Sequence, residues 1–422
     1  SFIPNQQSSA VSELKVRARY LLARLPDSTR HLGALVRLSL EECPSLAELP
    51  GSLGQLAALT ELALLKCSVL TALPSSLGQL AALTELRIDE CRLLQALPAS
   101  ACQLPLTSLH LGSCDALTAL PDRMGRLTGL ATLEVVNCAK VTHLPAWVAR
   151  LTALSTLNLS YSSLTQLPHV ASPVLRILSL GYSDLLCLNE SIGQLVSLTT
   201  LDLPCTPLTS LPEAIGRLTA LENLDLAGCD ALASLPESIG RLAALETLDL
   251  SRCSALASLP ESIGGLTALR RLQLRGCSVL TCLPESTGRL ASLRTLDLGG
   301  CMLKRLPESV GHMTLLTSLH LCAQIRSLPS SFGNLISLST VSRDPDSVLR
   351  YAVGRALQAV LSVNLHLVHH RRTMLLLVAA GRRRHLRDRY RLPPELWCLV
   401  DMHLWQSQPE RTVFWILKES NI

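Results

Sequence analysis

The sequence predicts an α/β solenoid. One strand per coil would build a curved parallel sheet on the concave side, with short helices or 3₁₀ turns on the convex side and a small all-α domain at the C-terminal end. Three observations carry this. A leucine pattern returns every 21 to 24 residues from Leu35 to Leu338. Each return contains an L-x-L alternation of strand period, closed soon after by Leu-Pro. Hydrophobic residues make up 48% of the 422 residues but aromatics only 3%, so the core must be built from small aliphatic side chains. That composition also argues against an enzyme, whose pocket is normally lined with aromatic rings.

The unit reads L-x-x-L-x-L-x-x-C-x-x-L-x-x-L-P-x-x-x-G-x-L-x-x, as in "LDLSRCSALASLPESIG" at 248–264. Its first leucine falls at Leu35, Leu59, Leu83, Leu106, Leu130, Leu154, Leu175, Leu198, Leu221, Leu245, Leu269, Leu293, Leu316 and Leu338. The array therefore spans 20–342, with about thirteen complete units and a degenerate lead-in, after an N-terminal segment at 1–19. In the unit quoted, Leu248 and Leu250 should face inward while Thr247 and Asp249 face outward. Proline then stops the strand, because it has no N–H and restricts the residue before it. "ESIGRLAAL" carries apolar residues three and four apart, enough for a short helix or 3₁₀ turn. A single coil cannot bury its leucines, so each must pack on its neighbours.

These motifs resemble the leucine-rich repeat family over about three quarters of the chain. The wording "LPESIG" with "LDLSRCSALASLP" is most similar to the repeats of plant intracellular immune receptors. No G-x-x-x-x-G-K-[ST] phosphate loop is present, so the nucleotide-binding half of such receptors is missing from this sequence. The resemblance implies a binding module, and a Cys column that turns inward and bonds the backbone of the turn.

Fifteen cysteines are present, and nine occupy that one position: Cys43, Cys67, Cys91, Cys114, Cys138, Cys229, Cys253, Cys277 and Cys301. Metal ligands would need C-x-x-C or Cys/His clusters, which are absent, so no metal and no cofactor is expected. A ladder of buried free thiols is expected instead, which places the protein inside the cell, in the cytoplasm, or in an organelle if Ser1 is a processed start. The first residues show no signal peptide, and "ALQAVLSVNLHLV" at 356–368 is too short to span a bilayer.

Departures from the unit point to function. Ser162, Ser183 and Thr206 replace the cysteine in three consecutive coils. The 21-residue step from Leu154 to Leu175 implies that the convex segment there has lost its helix. Tyr161 and Tyr182 share one column in adjacent coils and form a candidate binding hot spot. Down the concave face, Asp202, Asp225 and Asp249 follow one another as a strip suited to a basic partner, with Arg271 and Arg275 breaking it. No Ser/His/Asp or Cys/His constellation stands out from the repeat columns, so catalysis is not expected.

After residue 342 the repeat stops. Residues 343–422 are expected to form helices that cap the solenoid, with an Arg-dense segment at 371–391 of formal charge +7 that includes Arg382, Arg383 and Arg384. The stretch around Trp397 and Trp405 resembles the opening of an F-box, with Leu392, Pro393, Glu395 and Leu396 matching. The net charge of +5 argues for no particular partner. The expected function is non-catalytic binding of another protein on the concave face, with neither a small-molecule substrate nor nucleic acid as ligand. Two alternatives are a substrate adaptor of a ubiquitin ligase and a structural subunit docking through its C-terminal domain.

Overall fold

The computed structural model describes residues 11–343, apart from 19 and 168. These residues fall into two compact units divided between Cys229 and Asp230. The first contains strands β1 (Glu13–Arg17), β2 (Arg37–Glu41), β3 (Glu61–Leu65), β4 (Glu85–Asp89), β5 (Ser108–Gly112), β6 (Thr132–Val136), β7 (Thr156–Asn158), β8 (Ile177–Ser179), β9 (Thr200–Asp202) and β10 (Asn223–Asp225). They lie parallel in chain order. The second contains β11 (Thr247–Asp249), β12 (Arg271–Gln273), β13 (Thr295–Asp297), β14 (Ser318–Leu321) and β15 (Thr340–Arg343), again parallel and in order. The first strand thus begins at Glu13, ahead of the boundary at 20 that the repeat spacing indicates.

Register follows the leucine pattern. Leu38 pairs with Leu62, Leu62 with Leu86, and Leu272 with Leu296, so equivalent leucines stack into one buried column. All of these are at most 2% exposed. Full burial of a leucine side chain stabilises by roughly 2 kcal/mol, and the column repeats that gain in every coil. β1 is the end strand, and its Leu14 and Val16 are only partly covered.

Opposite the sheet, nearly every coil makes a five-residue 3₁₀ turn preceded by proline, such as Glu237–Arg241 after Pro236. Among the described residues none of these segments is an α-helix. No such turn lies between β7 and β8, as the short spacing there predicts. Where glycine stands fourth in the turn, neighbouring turns pack closely enough that a Cβ would clash, although Cys102 and Ala149 take that position in two coils. A Cβ at Gly264 would stand 2.5 Å from the carbonyl oxygen of Ser286 in the next coil.

Strand length changes along the first unit, from five residues in β1–β6 to three in β7–β10. At Asn158 and Asp225 the side-chain Oδ1 accepts the N–H two residues on, from Ser160 at 3.1 Å and Ala227 at 2.9 Å. This local turn competes with the ladder and ends the strand.

Candidate functional site

The cysteine column is wall. None of its nine cysteines forms a disulfide, and all are at most 2% exposed. Many donate to a carbonyl of the preceding coil, as Cys91 does to Leu64 O at 3.5 Å and Cys301 to Leu274 O at 3.0 Å. Burial pushes the Cys229 thiol above its usual range, so it stays protonated and unreactive. In the altered coils the substitutes bond within their own turn. Ser162 Oγ donates to Leu159 O at 2.7 Å, Ser183 Oγ to Leu180 O at 2.6 Å and Thr206 Oγ1 to Leu203 O at 2.9 Å. The hydroxyl preserves burial but uncouples that position from the previous coil.

One residue before this column the backbone is left-handed in nearly every coil. Tyr161 has φ 57°, Tyr182 φ 56° and Cys205 φ 53°. Such a φ is uncommon for a non-glycine residue, so the repeat itself must impose it. The Tyr161 N–H donates to Gly181 O at 2.9 Å and the Tyr182 N–H to Pro204 O at 2.7 Å, locking both residues to the following coil. Identical backbone one coil apart then makes the rings parallel. Their centroids are 4.4 Å apart and their planes 4° apart, and each residue is about half exposed, 49% and 48%. The next residue of the column, Cys205, is exposed too, and its Sγ would touch a Cβ at Gly228, whose φ is 73°.

The open face of the sheet in the first unit has two characters. Over β1–β6 its charges are paired across strands: Lys15–Glu41 at 2.8 Å, Arg37–Glu61 at 2.8 Å and His110 Nδ1–Glu134 at 2.6 Å. His110 is also 4.0 Å from Asp89, and the absence of a Cβ at Gly112 leaves room for that carboxylate. This histidine cluster was not singled out by the sequence, because its members come from three coils. Over β7–β10 the strands carry Thr156, Asn158, Ile177, Ser179, Thr200, Asp202, Asn223 and Asp225, with no lysine or arginine. Among the described residues no ion pair forms on this part of the face.

The aspartates lie where the spacing places them. Asp202 and Asp225 are register partners on β9 and β10, and Asp249 sits on β11 of the second unit, paired with Gln273. Asp249 Oδ1 accepts the Ser251 N–H at 2.8 Å, the same local turn as Asp225. Arg271 stands exposed on β12, and Arg275 is exposed beyond its end. Arg382, Arg383, Arg384, Trp397, Trp405 and the F-box-like stretch lie outside the described residues. So do the C-terminal helices.

Among the described residues no group of three or more His, Cys, Asp or Glu side chains is placed to hold a metal ion, and no helix is long and apolar enough to cross a membrane.

A parallel sheet with one strand per leucine-bearing coil, backed by 3₁₀ turns, defines the class: the chain has the leucine-rich-repeat fold. The model of a leucine-rich repeat region matches residues 248–353. The structure is similar to a leucine-rich-repeat protein of Leptospira interrogans, at 26% identity and TM-score 0.62, over 84% of this chain and 95% of that one. It shares its fold with an internalin from Listeria monocytogenes, at 18% identity and TM-score 0.53, over 79% and 87% of the two chains. It also shares its fold with the functional domain of InlJ from Listeria monocytogenes, described as including a cysteine ladder, at 21% identity and TM-score 0.51, over 78% and 72%. No curated protein matches the sequence.

Proposed function

We propose that the chain is a non-catalytic protein-binding module that contacts its partner with the open face of β7–β10. The observation that carries this reading is the half-exposed Tyr161–Tyr182 stack beside a stretch of sheet free of ion pairs. A docking partner desolvates whatever it covers. Covering the cross-strand ion pairs of β1–β6 would cost more than covering threonine, serine, isoleucine and tyrosine, whereas Asp202 and Asp225 can be covered at low cost only by a partner that brings a cation. Ring pairs pre-stacked by the backbone also lose little side-chain freedom on binding. The thiol column supports a reducing compartment, since none of the fourteen cysteines among the described residues forms a disulfide.

The test is site-specific photo-crosslinking in cells of the source. A photoreactive residue replacing Tyr182 should capture a partner that the same residue replacing Arg37 does not. Equal capture from both positions, or capture from position 182 that Tyr161→Ala leaves undiminished, would contradict the reading.

A further inference from the structure

Aspartate or asparagine at the end of a shortened strand is generally held by its own backbone. Asn158 and Asp225 in the first unit, and Asp249 and Asp297 in the second, each accept the N–H two residues on, at 2.8 to 3.1 Å. Asp202 cannot, because residue 204 is proline and has no N–H to give. The single hydrogen bond to its side chain among the described residues comes from Ser179 Oγ to Oδ2, at 2.8 Å. Oδ1 is therefore left without a protein donor, and no lysine or arginine pairs with the carboxylate.

The proline is accommodated by a second departure from the repeat. A Cβ at Gly181 would stand 2.6 Å from both Cδ and Cγ of Pro204, so the ring occupies space that only glycine leaves open. The Pro204 carbonyl in turn receives the Tyr182 N–H at 2.7 Å, which sets the tyrosine stack beside it. On the other flank Ile177, 39% exposed, stands two residues before Ser179 on β8. Across two neighbouring strands the order is thus aliphatic side chain, carboxylate with an open oxygen, proline floor, aromatic pair.

We propose that Asp202 is the anchoring carboxylate for a cationic side chain, arginine or lysine, on an extended peptide segment lying across β8 and β9. This rests on the binding face proposed above and names the chemistry of what binds there. An anion on a face without cations selects a basic partner by charge complementarity. Asp225 shares the face, but its Oδ1 is already held by its own turn.

The experiment uses the full chain and four fluorescein-labelled nonapeptide pools with identical degenerate flanks. The central residue is arginine, lysine, citrulline or norleucine, and binding is read by fluorescence polarisation at physiological ionic strength. The arginine or lysine pool should bind about tenfold more tightly than the two uncharged pools, and the difference between those two decides which cation is preferred. Asp202→Asn should abolish the advantage while Asp225→Asn retains it. Pro204→Ala leaves the charge unchanged but restores an N–H to occupy Oδ1, so it should weaken binding several-fold. Thermal melts of each variant establish that it is folded, and Pro204→Ala carries the test if Asp202→Asn is not. Equal binding of the citrulline pool, no binding of any pool to the unsubstituted chain, or an Asp202→Asn variant that keeps the preference overturns the proposal. If crosslinking from position 182 succeeds while the pools show no preference, the binding face stands and the role of Asp202 falls.

Discussion

The Glu308 carboxylate reaches across one coil to hold the 3₁₀ turn at Ser330. Its Oε1 accepts the Ser330 N–H at 3.1 Å, and its Oε2 accepts the Ser331 N–H at 3.1 Å and the Ser330 hydroxyl at 2.9 Å. The same reach recurs from Glu190 to the Ala214 N–H, from Glu237 to Ser262 and from Glu285 to Ser309. The glutamate of "PESIG" is therefore a cap for the next coil, supplying an acceptor to N–H groups that a short 3₁₀ turn leaves free.

This cap carries a pH dependence. Burial pushes the Glu308 carboxyl up, but the donors from Ser330 and Ser331 outweigh it and hold the group below its ordinary 4.5. A carboxyl depressed by folding stabilises above its unfolded pKa, and the contribution is lost as pH falls through the lower folded value. Glu308→Gln should therefore flatten the loss of thermal stability below about pH 4.5. At neutral pH, Glu308→Ala should cost about 1 kcal/mol or less, since the site is solvent-screened. Melting curves of both variants against pH check this.

Gly264→Ala should destabilise by about 1–3 kcal/mol, because its Cβ would meet the backbone oxygen of Ser286 rather than a movable side-chain tip. Gly129→Ala meets nothing within 4 Å and should change stability by no more than about 0.5 kcal/mol. Denaturant unfolding of the two variants side by side is the measurement. Equal effects would mean that the turns are not packed as closely as described.

A short pulse of N-ethylmaleimide, followed by peptide mapping, should modify Cys187, Cys205 and Cys282, which are exposed, and spare the nine column thiols. Burial denies the reagent access to the column, whose side chains are at most 2% exposed. In denaturant all should react. Cys277→Ala should cost about 1–2 kcal/mol, because it removes a packed sulfur and its donation to Leu250 O at 3.1 Å.

Tyr182 should ionise later than an ordinary tyrosine in an alkaline absorbance titration. The hydrogen-bonding Cys205 thiol beside it raises the phenol first, and the charges of Cys205 and Tyr161 add to that. In Cys205→Ala most of the delay should vanish. Titration of Tyr182 unchanged by that substitution would place the thiol away from the ring.

Much of this was legible from spacing alone. The columns that bring together Ser179 and Asp202, or Tyr161 and Tyr182, follow from the repeat period, because a one-residue slip would turn every leucine outward. The missing turn before β8 was legible from the 21-residue step for the same reason. The period also aligns His110 with Glu134, but that their side chains close to 2.6 Å and that Asp89 approaches the same ring is decided by side-chain reach. The capping role of Glu308 was not legible, since it depends on an acceptor meeting N–H groups 22 and 23 residues away.

The sequence by itself determined where the strands of the regular coils lie, which of their residues face inward and that nine cysteines share one buried position, but not the strand at Glu13–Arg17. Coil stacking admits one register, and local alternation sets the face. Only the tertiary structure decided which polar groups on the open face are already engaged. Asp225 and Asp249 close on their own backbone, while Pro204, fitted into the space left by Gly181, leaves one oxygen of Asp202 open. Whether a carboxylate is satisfied depends on donors brought within 3 Å by the neighbouring coil, and that proximity is a property of the folded chain.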